Sequence, residues 1–302
     1  MSNIIAIVWD FDKTLITGYM QDPLFEEFGI DSKKFWDEVN SLPEKYQKEQ
    51  KVQVNRDTIY LNHILKYVRD GKFKKLSNKK LEEYGKKLSF YKGIPAIFKD
   101  TKAVVENDPS YKEYDIKVEH YVVSTGLLRI IQGSDICKYI THVWGCELIE
   151  SKDKDGDMVV SEIGYTIDNT SKTRALFEIN KGTIQNGIDV NSKVPEEIRR
   201  VRFENMIYIA DGPSDIPAFS LINKNGGYTF AIYPKDNEDA FKQVEKLRMD
   251  GRINMYAIAD YSPGTTAYLW LKNKVIDLAN RIRETERTNF TQAVNPAPNH
   301  LV

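Results

Sequence analysis

The stretch Ile4 to Ile16, IIAIVWDFDKTLI, constrains this chain most. Ile4 through Trp9 is apolar and β-branched without alternation, the pattern of a short strand buried on both faces. It runs straight into Asp10, with Asp12 two places on. Parallel α/β sheets place their ligands beyond the C-terminal ends of their strands. Asp10 and Asp12 therefore stand where a site would be, on a loop that Lys13 and Thr14 continue. Taken alone, the two acids read equally well as turn formers, so the rest of the chain must decide.

After this strand the pattern changes. Between Tyr19 and about Lys92 no second strand of that kind occurs. Phe35, Trp36 and Val39 lie at helical spacing behind an N-cap at Asp31 or Ser32. Leu61, Ile64, Leu65 and Val68 mark a second amphipathic helix that stops at Gly71, and Ser77 caps a third carrying Leu81, Tyr84 and Leu88. A small helical domain, residues 18–92, is thus expected as an insert in an α/β core made of 1–17 and 93–290.

From Gly93 onward strands and helices alternate. A helix follows Pro95 through Val105. Val118 to Val123 reads as a strand ending in Ser124-Thr125-Gly126, with a helix over Leu127 to Gln132. Tyr139 to Trp144 reads as a third strand. Glu147 to Glu150 and Met158 to Glu162 flank an Asp155-Gly156 turn and read as a hairpin. The acids Asp153, Asp155 and Asp157 resemble a calcium loop, but the glycine comes two positions too early, which favours the hairpin. Ser171 to Ile179 is helical. Asn180 to Glu204 is a long connection with one short helical segment at Pro195 to Arg200. Met206 to Ala210 is a strand ending in Asp211-Gly212-Pro213-Ser214-Asp215, and a helix runs on to about Ile222. Thr229 to Tyr233 and Ile253 to Ile258 are strands around a helix near Asp239 to Arg248. A last helix runs from Thr265 to about Arg283, and 291–302, with Pro296 and Pro298, is expected to be a disordered tail. This order predicts an α/β fold, a Rossmann-like parallel sheet covered on both faces.

Three strands end in polar clusters of one kind: Asp10/Asp12, Ser124/Thr125/Gly126 and Asp211/Gly212/Asp215. A lysine, Lys172, precedes the last of them. In a parallel sheet these ends share one edge. Lys181 is a rival for the lysine's role, Ser124 reads equally as a helix cap, and Asp215 equally as an acid placed on a helix dipole.

With these motifs assembled, the chain resembles the haloacid-dehalogenase-type phosphohydrolases, in the branch that includes phosphoserine phosphatases. Asp10-Phe11-Asp12-Lys13-Thr14 is similar to that family's first motif, Val122 to Gly126 to its second, Lys172 to its third and Asp211 to Asp215 to its fourth. The insert after the first motif resembles the family's helical cap. The resemblance implies a phosphatase acting on a small phosphate monoester through an aspartyl-phosphate on Asp10, with Asp12 as general acid and base. It implies Mg²⁺ held by Asp10, Asp211 and the backbone carbonyl of Asp12, with Asp215 ligating through water or orienting that shell. Lys172, Ser124, Thr125 and Gly126 would hold the phosphate. The physics agrees. A carboxylate attacking a phosphate dianion meets like charge, at roughly 1 kcal/mol per pair at 4 Å in water and about 4 near a protein surface, so cations are required. A phosphotransferase of the same fold, or a weakly active binding protein, are the alternatives.

The cap of phosphoserine phosphatases carries a glutamate shortly after the first motif. Here Thr17 to Gln21 occupy that region, which argues against serine phosphate. Lys and Arg total 43 against 44 Asp and Glu. This balance argues against nucleic acid as a main partner. No apolar run reaches membrane-spanning length and no signal-peptide pattern opens the chain. The two cysteines, Cys137 and Cys146, suit reduced thiols in a cytoplasmic protein.

Overall fold

The computed structural model describes residues 3–294. Seven strands form one sheet: β1 (Ile4–Trp9), β2 (Lys117–Leu127), β3 (His142–Lys152), β4 (Met158–Tyr165), β5 (Met206–Ala210), β6 (Tyr228–Tyr233) and β7 (Met255–Ile258), in the order β4-β3-β2-β1-β5-β6-β7. All neighbours are parallel except β4, which turns back antiparallel on β3. Every residue from Ile5 to Trp9 and from Met206 to Ala210 is buried, which requires cover on both faces. Helices α5 (Ala96–Glu106) and α12 (Thr266–Val294) pack on each other and on β2 and β1. Helices α8 (Ser171–Lys181) and α10 (Ile216–Lys224) pack together against β2, β5 and β6.

β1 lies at the centre. Trp9 pairs with Val122 of β2 on one side and with Ile209 of β5 on the other. The chain leaves β1 toward β2 and β3, then returns across the sheet to β5. Strand order reverses there, and a crevice opens at the C-terminal ends of β1 and β5. The same register sets Asp10, Ser124 and Asp211 within one residue step of a common level.

Between β1 and α5 lie four helices: α1 (Asp22–Phe28), α2 (Ser32–Gln50), α3 (Ile59–Arg69) and α4 (Asn78–Gly85). Asp31 and Ser77 cap α2 and α4 by accepting the N–H groups of Lys34 and Lys80. An aromatic cluster of Phe25, Phe35, Tyr67 and Phe73 fills this segment, with ring centroids 4.7–6.3 Å apart. Several contacts tie it to the core. Val160 of β4 donates its N–H to the Leu76 carbonyl at 2.9 Å. Helix α4 lies against α7 (Leu128–Gln132) so closely that a Cβ on Gly133 would stand 1.8 Å from the Glu82 carbonyl oxygen.

Several expectations change. Helix α1 is not foreseen by the periodicity. β2 does not stop at Val123 but runs on through Leu127. The expected third strand and first hairpin arm are one strand, β3, and Cys137–Tyr139 before it form a 3₁₀ turn. The Asn180 to Glu204 connection is not limited to one helical segment. It holds α9 (Thr183–Asn186) and 3₁₀ turns at Glu196–Ile198 and Phe203–Asn205. The last helix continues past Arg283 to Val294, so 291–294 are helical, while the rest of the expected tail, 295–302, lies outside the described residues. The extension of β2 depends on its partner β3, which local pattern does not carry. His120, isolated in sequence, is a core group. Its Nδ1 accepts the Trp9 Nε1–H at 3.1 Å, and burial, reinforced by Lys102, lowers its pKa to about 3.

Candidate active site

The loop after β1 turns sharply because Lys13 adopts a left-handed backbone, φ 57°. Asp10 is buried at the crevice floor. Its Oδ1 accepts the Lys172 Nζ at 2.7 Å and its Oδ2 the Thr14 hydroxyl at 3.3 Å. The Thr14 carbonyl is held in turn by the buried Tyr261 hydroxyl at 2.7 Å. The turn brings Asp12 back under the chain, where its Oδ1 accepts the Met20 N–H at 2.9 Å.

Lys172 lies in the first turn of α8 and is wholly buried. Its ammonium bridges Asp10 and Asp215, the latter at 2.6 Å. Asp215 also accepts the Tyr208 hydroxyl at 2.5 Å on the same oxygen, and the Ser214 hydroxyl at 2.9 Å on the other. Lys181 is elsewhere, spent on the Val190 and Ser192 carbonyls at 2.6 and 2.9 Å. The structure thus brings Lys172, not Lys181, to Asp10.

On β2, pairing with β3 shifts between Val123 and Leu127, and Ser124, Thr125 and Gly126 have no register partner there. The Ser124 hydroxyl accepts the Gly126 N–H at 3.0 Å. A Cβ on Gly126 would stand 2.1 Å from the Met20 methyl, so glycine lets Met20 seat against this strand end. The Met20 sulfur also accepts the Leu127 N–H at 3.0 Å.

The electrostatics follow from crowding acids away from water. Burial pushes the Asp10 carboxyl up to about 6, against the pull of Lys172 and with the help of Asp215. Burial, then Asp10 and Asp215, push Asp211 up to about 7. Burial and Asp10 hold Asp12 well above the usual carboxylate range. Burial works against the Lys172 charge, but Asp10 and Asp215 outweigh it and hold its pKa above normal. Asp10, Asp211 and Asp215 each offer an oxygen within 4.8 Å of the others. Such a set of hard oxygen donors, short of positive charge, fits a divalent cation.

Sequence reasoning passes over three residues at this site. Tyr208 reads as one more apolar strand residue and Met20 as a loop residue, and Tyr60 lies just before the first periodic position, Leu61, of an amphipathic helix. Only their side-chain partners distinguish them.

The arrangement can now be compared with known proteins. No protein-family model matches the chain. Among solved structures, it is similar to a HAD-family hydrolase from Salmonella enterica serovar Typhi, with a TM-score of 0.50 and 14% identity over 85% of this chain and 67% of that one. It is also similar to a probable phosphoserine phosphatase from Vibrio cholerae, with a TM-score of 0.50 and 12% identity over 92% of this chain and 66% of that one. The fold is that of the haloacid-dehalogenase-type hydrolases. A protein of Borreliella burgdorferi described as uncharacterized is 37% identical over 289 residues, 90% of this chain and 97% of its own length. The chain belongs to one family with that protein.

Proposed function

We propose that the protein is a Mg²⁺-dependent phosphatase that hydrolyses a small-molecule phosphate monoester through an aspartyl-phosphate on Asp10. The observation that carries this reading is the setting of Asp10. It lies at the end of the central strand, with Lys172 on one oxygen, Thr14 on the other and two further acids beside it. A buried carboxylate held on both oxygens among neighbouring acids costs stability, and such groups cluster at functional sites.

Asp10 attacks phosphorus and displaces the alcohol, and water then releases phosphate from the acyl phosphate. Asp12, which burial keeps protonated to unusually high pH, gives its proton to the leaving oxygen and then takes one from the attacking water. Lys172 holds the Asp10 carboxylate in place and adds positive charge beside the phosphoryl oxygens. Ser124, with the N–H groups of Thr125 and Gly126, binds those oxygens where the ladder is broken. Asp10, Asp211 and the Asp12 carbonyl would hold Mg²⁺, which when bound neutralises charge on the carboxylates and the phosphate. Asp215 orients Lys172, and because three donors already occupy its oxygens it would reach a bound metal through water. Residues 18–92 form the cap over a core of 1–17 and 93–290, and close the site to bulk water.

The residues that follow the first motif support a substrate other than serine phosphate. Thr17 to Gln21 carry no acid there to meet an amine, and the first acids come later, at Asp22, Glu26 and Glu27. Among the described residues no helix is long and apolar enough to cross a membrane. The test is phosphate release from a panel of phosphorylated metabolites, with Mg²⁺ and with chelator, using wild type and Asp10→Asn. Metal-dependent release that the variant lacks is expected. Release that persists in Asp10→Asn would overturn the nucleophile. Added alcohol acceptors separate hydrolysis from transfer, since a transferase would phosphorylate them.

A further inference from the structure

The break in pairing between β2 and β3 leaves Thr125 without a register partner on β3. A carbonyl inside a protein must find a donor. Thr125 finds two. The Tyr60 hydroxyl, from the first turn of α3, donates at 2.8 Å, and the Cys146 thiol, from β3, donates at 3.2 Å. Tyr60 is therefore a direct hydrogen bond from the helical insert to the strand end that carries Ser124.

The Thr125 carbonyl and the Gly126 N–H are two ends of one planar trans peptide and point in opposite directions. Fixing the first fixes the second. That N–H, which the Ser124 hydroxyl accepts at 3.0 Å, is one of the donors placed above on the phosphate. Tyr60 is itself held. Its ring lies 5.8 Å from that of Trp36 on α2, and Trp36 lies 5.3 Å from Tyr19. The Tyr19 hydroxyl accepts Lys13 Nζ at 2.6 Å. Lys13 directly follows Asp12, so a continuous path of contacts runs from the loop after β1, through the insert, to the end of β2.

We infer that Tyr60 is a positioning residue: its hydroxyl sets the Thr125–Gly126 peptide, whose N–H orients the Ser124 hydroxyl and is shared with bound phosphate, and the phosphate site is complete only when the cap is seated. This rests on the phosphatase reading for the identity of the ligand. It adds a residue of the cap that acts on the phosphate itself, not on the leaving group.

The experiment is calorimetric titration of inorganic phosphate, in the presence of Mg²⁺, into wild type, Tyr60→Phe and Tyr67→Phe. Thermal melts and a separate Mg²⁺ titration accompany each protein. Tyr60→Phe keeps the ring and loses one buried hydrogen bond, so phosphate should bind about tenfold more weakly, with Mg²⁺ affinity unchanged. Tyr67→Phe loses a hydroxyl bonded to Glu38 at 2.9 Å on the far part of the same helix and should bind phosphate as wild type does. Trp36→Leu loosens the Tyr60 ring without touching its hydroxyl and should weaken phosphate in the same direction. It carries the comparison if Tyr60→Phe fails to fold. Equal phosphate affinity in Tyr60→Phe and wild type, or equal weakening in both tyrosine variants, overturns the inference. A wild type that binds phosphate yet releases none from any ester removes the hydrolase reading and leaves the inference to the affinity comparison. A wild type that binds no phosphate removes both.

Discussion

The ammonium of Lys172 lies between two buried carboxylates, 2.7 Å from Asp10 and 2.6 Å from Asp215. Neutralising it strands both acids in a low-dielectric pocket. Lys172→Met, which keeps the volume, should cost about 3–5 kcal/mol of stability, read by urea unfolding, as well as activity. Asp10→Asn keeps the hydrogen-bonding shape and removes the nucleophile. It should lower phosphate release by on the order of 10³-fold or more with little change in unfolding midpoint. Asp12→Asn should slow alkyl phosphates by roughly 10²–10⁴-fold and activated aryl phosphates far less, since a good leaving group needs no proton. Equal slowing of both would count against the acid role. These acids are legible in sequence because three strand ends carry polar clusters of one kind, and Lys172 only through the motif pattern they complete, with Lys181 as its rival. Tyr208 and Tyr60 are not, because a tyrosine among apolar residues looks like core until its hydroxyl partner is known.

At the scale of elements, the contact between α4 and α7 is set by two glycines. Gly133 has an ordinary helical backbone, φ −73°, so it is glycine for space alone. A Cβ there meets Glu82 backbone at 1.8 Å, and one on Gly85 meets the Ile130 carbonyl at 2.2 Å. Gly133→Ala should therefore push α4 off α7 and destabilise by about 1–3 kcal/mol. Thermal melts check this, and a variant as stable as wild type would show that the two helices separate freely. The strands of the core read directly from sequence, β5 to the residue, because fully buried parallel strands are continuous apolar runs. What does not read are boundaries set by partners. The extension of β2 through Ser124 to Leu127 depends on β3. Helix α1, DPLFEEF, is too short to show a period. The polar end of α12 gives no amphipathic signal.

For the whole molecule, the acids at the crevice bind stability to pH and metal. Asp10 and Asp211 keep their protons to about 6 and 7, chiefly through burial, whereas an unfolded carboxyl loses its proton near 3.8. Between these limits the folded, metal-free protein holds more protons than the unfolded chain. Its stability is then highest below about pH 4 with respect to these groups and falls as pH rises through 6 and 7. A cation that replaces the protons removes the loss. Mg²⁺ should therefore raise the melting temperature more at pH 7.5 than at pH 5, measured against chelator at each pH. Equal gains at both would place the cation elsewhere. The central position of β1 has another consequence, one of timing. Its partners begin at Lys117 and Met206, so Ile4–Trp9 leaves the ribosome long before either neighbour exists. At about 5–20 residues per second the wait for β5 is roughly 10–40 s. Until β2 emerges, roughly 5–25 s into that interval, six apolar residues of high strand propensity stand unpaired, and the growing chain must be shielded there by a chaperone or by the early-emerging helices of the insert.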